Sequence, residues 1–183
     1  MGISDNLKKL GELAYKNNLA KYNLPTNVRA LALGLVNKDP NLVVTEQFLR
    51  PNDIKMLREA YRNSTYNYNP ERKNYIDYGN YPNSQKNFFI HKDDKGQAVG
   101  DNWMEIIAKS ILDPSYNMQT TIGRTNVPYT RNNKGEIIIR DSYDFNFRKP
   151  TKTNSAFSDA HMFAYDKVTP YQWNINLGNP KDW

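Results

Sequence analysis

Residues 118–147 read MQTTIGRTNVPYTRNNKGEIIIRDSYDFNF and contain the clearest local structure signal in the chain. Two runs of strand-forming residues, 118–129 and 136–143, flank the polar segment 131–135, which ends in Gly135. A short polar loop with a terminal glycine between two such runs is typical of a β-hairpin. The second run carries three consecutive isoleucines, which are β-branched and pack well on a pleated surface. The stretch therefore predicts an antiparallel hairpin.

Two carboxylates, Asp141 and Asp144, stand where the second strand is expected to end. In a fully extended chain they would point to opposite faces, whereas a turn or bulge between them would bring them together. Paired carboxylates can bind a hard cation or act as acid and base. The alternative is structural, because Asp at a strand end bonds nearby backbone amides and neighbouring cations can neutralise it. These cations are Arg140, Arg148 and Lys149.

The sequence Asp141-Ser142-Tyr143-Asp144 resembles the start of the signature of the colicin M family. Residues 121–124, the hairpin and residues 175–178 are also similar to phage-encoded proteins with the same arrangement. The resemblance implies an open, mostly antiparallel β-barrel with helical additions. It also implies a Mg-dependent phosphodiesterase that cuts the lipid-linked peptidoglycan precursor between its polyprenol and its pyrophosphate.

The resemblance assigns a role to each matching residue. Asp141 and Asp144 would hold Mg²⁺ against the pyrophosphate or act on the attacking water, and Tyr143 would order the site. Arg148 or Lys149 would neutralise phosphate charge.

The histidine and arginine that follow this motif in the family are not matched, because Pro150 and Thr151 occupy that window. His161 lies further along the chain and is the candidate for the missing catalytic base, since a histidine pKa suits proton transfer. Two interpretations stay open. Either His161 takes this role from another loop, or the fold is kept without the activity.

The bulk properties exclude several classes of protein. At 183 residues the chain is long enough for one ordinary domain, and its 38% hydrophobic residues are not a disordered composition. The net charge of +6 favours anionic partners and is also adequate for solubility. Cysteine is absent, which excludes disulfides and thiol nucleophiles. No apolar run is long enough to span a bilayer, and we expect no signal peptide.

Three segments are predicted along the chain: a helical N-terminal region in residues 1–62, a connection rich in Tyr and Asn in 63–100, and a helix plus a β-barrel-like part in 101–183. Within the first, apolar spacing and capping residues predict a helix near the start, a second over 28–36 and a third over about 51–63. The expected fold class is α+β, with a small antiparallel, partly open barrel or curled sheet.

The remaining elements are predicted from apolar spacing and turn residues. Residues 88–90 form a short candidate strand, 101–112 a helix ended by Asp113-Pro114, and 168–177 a final strand. Aromatic and basic residues alternate in the tyrosine-rich connection, and such a pattern can stack the bases of a single nucleic-acid strand. No RNA-binding signature accompanies it, so nucleic acid is the least favoured partner.

Two functions remain nearly equal on this basis. The first is a phage-encoded, colicin M-like hydrolase acting at the bacterial envelope on the lipid-linked precursor, with Mg²⁺ as its metal. The second is a non-catalytic virion or tail protein that contacts other virion proteins or further copies of itself. The expected location is the virion, or the bacterial cytoplasm before assembly and lysis.

Overall fold

The computed structural model describes residues 24–64, 68–71, 73–78, 91–92, 94–95, 98–99, 103–122, 126–143 and 167–183. The helix predicted near the start of the chain and the strand predicted at 88–90 lie outside these residues. In chain order the elements are α1 (Thr26–Val36), β1 (Val43–Val44), a 3₁₀ turn (Glu46–Phe48), α2 (Pro51–Asn63), β2 (Asn74–Asp77), β3 (His91–Lys92), β4 (Ala98–Val99), α3 (Trp103–Leu112), α4 (Pro114–Ile122), β5 (Asn126–Arg131), β6 (Ile137–Tyr143), β7 (Tyr171–Gly178) and a second 3₁₀ turn (Pro180–Asp182).

Five of the strands form one open sheet in the order β1-β7-β6-β5-β2, and β3 pairs with β4 separately. The neighbours β7-β6, β6-β5 and β5-β2 are antiparallel, but β1 runs parallel to β7. The sheet is therefore mixed at one edge, where the sequence predicted an antiparallel arrangement, and the strands that the structure describes do not close into a barrel. The fold class is α+β with an open sheet, as predicted at that level.

The predicted hairpin is formed by β5 and β6, whose register pairs Tyr129 with Ile139 and Arg131 with Ile137. Its loop is stabilised by Asn132, whose side-chain oxygen accepts hydrogen bonds from the backbone N–H groups of Lys134 and Glu136, both at 3.0 Å. Gly135 has a φ of 77°, in the left-handed region that glycine adopts without steric cost. The terminal glycine of the loop therefore has the conformational role that the sequence indicated.

The segment before this hairpin contradicts the sequence prediction of a strand beginning at residue 118. Residues Pro114–Ile122 are the helix α4, and β5 starts only at Asn126. Asp113 begins this helix rather than merely ending α3, because its Oδ1 accepts hydrogen bonds from the N–H groups of Ser115 and Tyr116 at 2.8 and 3.1 Å. Pro114 suits the first helical position, where its missing N–H has no helical partner to lose.

The hydrophobic core lies between the inner face of the sheet and the helices α1 and α2. Alternate residues of β7 supply much of this face, and all four of them are buried: Tyr171, Trp173, Ile175 and Leu177. Helix α1 lies close to the chain just before β7, where the Gly34 carbonyl accepts the Thr169 N–H at 2.9 Å. A Cβ at position 34 would lie 2.5 Å from Val168 Cγ1, so this close approach requires glycine.

A buried polar cluster, which we call the Asp53 cluster, joins the helices on the inner side of the sheet. Its members are Thr26, Arg29, Arg50, Asp53 and Asn117, all of them buried. The Asp53 carboxylate accepts hydrogen bonds from Thr26 Oγ1 at 2.6 Å, from Arg50 Nε and Nη2 at 3.0 and 2.9 Å, and from Asn117 Nδ2 at 3.0 Å. Burial lowers the pKa of Arg29, and the nearby Asp53 charge opposes this shift.

Both edges of the described sheet involve chain segments from the first half of the sequence. The strand β2, within the tyrosine-rich stretch, pairs with β5, and β1 pairs with β7. Within the residues that the structure describes, no helix is both long and apolar enough to cross a membrane.

Candidate functional site

The first motif carboxylate, Asp141, is partly exposed on β6, where it lies opposite Trp173 of β7. Its Oδ1 accepts the backbone N–H of Ser142 at 3.0 Å, which is the local bonding expected of Asp near a strand end. Asp141 and Tyr143 are two positions apart in a strand, so their side chains share the inner face. The strand therefore brings two of the predicted site residues to one side of the sheet.

Tyr143 is a core residue, with only 6% of its surface exposed. Its ring stacks on that of Tyr171 with 5.1 Å between centroids and an interplanar angle of 26°. The Tyr171 hydroxyl donates to the Ala30 carbonyl at 3.0 Å, which ties this aromatic pair to α1. Burial raises the pKa of Tyr143 and of Tyr171, because a phenolate would lose its hydration there. Tyr143 therefore acts in packing the sheet against α1.

Buried phenols predict a loss of stability in alkali. Burial, followed by the proximity of Tyr61, raises the pKa of Tyr129 to about 12. An unfolded tyrosine titrates near pH 10, so above about pH 10 the unfolded chain releases a proton that the folded chain retains. Stability is therefore expected to fall between about pH 10 and about pH 12. Urea unfolding midpoints at about pH 9 and about pH 11 measure this fall.

Tyr129→Phe should reduce the loss of stability in alkali. Tyr75→Phe, which removes a phenol that is 42% exposed, is the matched control and should leave that loss unchanged. An alkaline loss of the same size in the wild type and in Tyr129→Phe would contradict the assignment to Tyr129.

The other predicted site residues, Asp144, Arg148, Lys149 and His161, lie outside the described residues. Across the described ranges, no three His, Cys, Asp or Glu side chains form a group that could hold a metal ion. Mg²⁺ in proteins is commonly held by one or two carboxylates together with water or phosphate oxygens. The partly exposed Asp141 fits one such ligand, and Asp144 is the second carboxylate of the predicted pair.

A shallow groove that the sequence did not reveal runs along one face of α2, is open to solvent and has a volume of about 630 Å³. The 3₁₀ turn before α2 borders it on one side and Trp183 on the other. Its walls combine apolar side chains with charged ones. The lining residues are Glu46, Gln47, Leu49, Pro51, Ile54, Lys55, Arg58, Glu59, Arg62 and Trp183.

Two arginines of the groove are held against Trp183. The guanidinium carbons of Arg58 and Arg62 lie 5.3 and 5.6 Å from the centroid of its ring, within the range of cation–π attraction. Arg58 Nε donates to the Leu177 carbonyl at 2.9 Å, and Arg62 Nη2 donates to the Trp183 main-chain oxygen. Each guanidinium carries five N–H donors, so most donors of both arginines are not used by these bonds.

The acidic residues of the groove, Glu46 and Glu59, have partners of their own. Glu59 forms an ion pair with Lys55 at 3.9 Å, and Glu46 Oε2 accepts the backbone N–H of Asn176 at 3.3 Å. The lining therefore combines apolar residues with three cations and two carboxylates, and its two arginines form no salt bridge with a described carboxylate side chain.

The aromatic contacts continue from Trp183 to a third arginine. Tyr61 packs edge-on against Trp183 and Tyr129, with centroids 5.4 and 5.2 Å apart. Arg131 donates to the Tyr61 hydroxyl and lies 4.9 Å from the centroid of the Tyr68 ring. We call Arg58, Arg62 and Arg131 with these rings the arginine–aromatic surface.

Sequence reasoning missed this surface for a definable reason. Arg58 and Arg62 are four positions apart in a correctly predicted helix, so their shared face was readable. Nothing local indicates that Trp183 returns to α2, because that contact joins positions far apart in the chain.

Comparisons with protein-family models, curated proteins and solved structures found no match to this chain.

Proposed function

We propose that this chain is a non-catalytic structural protein of a bacteriophage virion, in which the sheet is a packing module and the helices provide interfaces. The observation that carries the proposal is the burial of Tyr143, the central residue of the Asp-x-Tyr-Asp motif, against Tyr171. A tyrosine that contacts substrate must be reachable from solvent, whereas a buried, stacked tyrosine stabilises a core. The phage origin rests on the resemblance of the hairpin and motif.

The arginine–aromatic surface supports an interaction role. Trp, Tyr and Arg are the residue types most enriched at the energetic centres of protein interfaces. In this chain they converge from α2, β5 and Trp183 onto one surface beside an apolar groove. Such a protein would be made in the bacterial cytoplasm and then enter the particle, where its partners would be other virion proteins or copies of itself.

The second candidate is a colicin M-like hydrolase of the lipid-linked peptidoglycan precursor. The partial exposure of Asp141 favours it, since this carboxylate precedes the segment with Asp144, Arg148 and Lys149. With Asp141 and Asp144 as its ligands, Mg²⁺ would neutralise charge on the pyrophosphate. Asp141 would accept hydrogen bonds or hold the metal, and the two cations would bind phosphate oxygens.

One assay separates the two candidates. The purified protein is incubated with a polyprenyl pyrophosphate-linked precursor with and without Mg²⁺, beside Asp144→Ala and an active colicin M family enzyme as positive control. We expect no cleavage by the wild type while the positive control is active. Mg-dependent cleavage that Asp144→Ala abolishes would overturn the structural proposal and establish the hydrolase.

A second assay tests the structural role directly. Mass spectrometry of particles purified from cells infected by the encoding phage should detect this chain, and a high-salt wash should not remove it from the particles. If purified particles lack the chain while the infected cells contain it, the virion proposal is wrong.

A further inference from the structure

The groove along α2 has the dimensions of a peptide site. From Pro51 to Arg62 the helix rises about 16 Å at 1.5 Å per residue. An extended peptide advances about 3.3 Å per residue, so roughly five residues span this length. Pro51 and Ile54 supply apolar surface at one end of the groove, above the buried Leu49, and Arg58, Arg62 and Trp183 lie at the other.

Charge complementarity identifies the occupant. The chain carries a net charge of +6, and the arginines of the groove have no carboxylate partner among the described residues. Their guanidinium planes are held against Trp183, so less side-chain entropy is lost when they bind an anion. Arginine binds carboxylates through two parallel N–H···O bonds, which are stronger than hydrogen bonds between neutral groups.

We propose that this groove binds an acidic, partly apolar segment of another protein, with its carboxylates on Arg58 and Arg62 and an apolar side chain over Pro51 and Ile54. This inference rests on the proposed function, because it names the chemistry of the partner that an interaction protein would take.

A single nucleic-acid strand fits the same surface less well. Nonspecific strand binding needs exposed ring faces on which bases stack. Trp183 already contacts two guanidinium groups and the Tyr61 ring, and Arg131 lies over Tyr68. The apolar residues that line the groove would also have no counterpart in a phosphodiester backbone.

The experiment measures fluorescence anisotropy with a labelled peptide of alternating Glu and Leu, about six residues long to cover the groove. Two further probes are the same peptide with Gln for Glu and an oligothymidylate of similar length. The variants are Arg62→Gln in the groove and Arg140→Gln on β6, an exposed arginine that does not line the groove. Both variants remove one positive charge, so they separate a local effect from a net-charge effect.

We expect saturable binding of the Glu-Leu peptide that Arg62→Gln weakens about tenfold, the change equivalent to losing one charge-assisted hydrogen-bonded pair. Arg140→Gln should change the affinity less than about twofold, because Arg140 is exposed, does not line the groove, and salt screens exposed charges. The Gln-Leu peptide should bind at least about tenfold more weakly than the Glu-Leu peptide, which tests the same contact without altering the protein.

Three results would overturn the inference: no binding of the Glu-Leu peptide, equal weakening by both variants, or tighter binding of the oligothymidylate. The result of the cleavage assay is independent of the result of the peptide-binding assay. If the protein cleaves the precursor and also binds the peptide, the structural function is refuted and the groove assignment is retained. If the protein is inactive and binds no peptide, only the groove assignment is refuted.

Discussion

Asp53→Asn is expected to destabilise the protein by about 3–5 kcal/mol, the range measured when one partner of a buried ion pair is removed. The carboxylate of Asp53 is fully buried and accepts bonds from Thr26, Arg50 and Asn117. The substitution keeps the size of the side chain but removes its charge. It therefore leaves the buried cations Arg29 and Arg50 without a counter-charge, and desolvated charge is costly in an interior.

Urea unfolding followed by circular dichroism measures this loss as a shift of the midpoint at constant slope. The matched control is Glu59→Gln, which removes one carboxylate from the exposed ion pair with Lys55. Exposed pairs of this kind contribute about 0–1 kcal/mol, so the two variants should differ clearly. A loss below about 1 kcal/mol for Asp53→Asn would show that the Asp53 cluster does not stabilise the helices as argued.

Tyr143→Ala is expected to lose about 3–5 kcal/mol, as other truncations of large buried aromatic residues do. The substitution leaves a cavity in the core beside β6 and removes the stacking on Tyr171. Tyr143→Phe keeps the ring and should retain most of the stability. A catalytic tyrosine would differ in its activity, since Tyr143→Phe would then lose cleavage of the lipid-linked precursor.

Thermal and urea unfolding of both variants, beside Asp141→Asn, test this assignment. Asp141 is partly exposed, and the loss expected for its variant is below about 1 kcal/mol. If Tyr143→Ala were as stable as the wild type, Tyr143 would not be a core residue and the main support for a structural function would disappear.

Local signals were enough to predict the hairpin, α2 and most of β7. The loop before Gly135 carries its own turn chemistry, Pro51 suits the start of a helix, and β7 alternates buried with more exposed side chains. In these elements the sequence pattern and the tertiary environment agree, which is the condition under which local reasoning succeeds.

Helix α4 was misread because its composition favours a strand. Thr120, Thr121 and Ile122 are β-branched, yet the segment is helical and most of its residues are buried, polar ones included. Asn117 bonds to Asp53 and Asn27, and Thr121 bonds back to the Asn117 carbonyl at 2.6 Å. Tertiary hydrogen bonds therefore override the intrinsic preference, and such bonds cannot be read from a window of sequence.

The candidate sites also combine features that local sequence predicts with features that depend on tertiary contacts. That Asp141 and Tyr143 share one face follows from strand periodicity alone. The burial of Tyr143 does not follow from strand periodicity, because it depends on Tyr171, which is bonded to α1. The groove depends on Trp183 meeting α2, a contact with no local signature.

The parallel pairing of β1 with β7 delays completion of the sheet while the protein is synthesised on the ribosome. β7 lies inside the sheet, between β1 and β6, yet it is synthesised after every other strand that the structure describes. At typical translation rates, the interval between Val44 and Tyr171 is on the order of ten seconds. During that time β1 and α1 lack their contacts with β7, so we expect the nascent chain to engage chaperones until β7 has been synthesised.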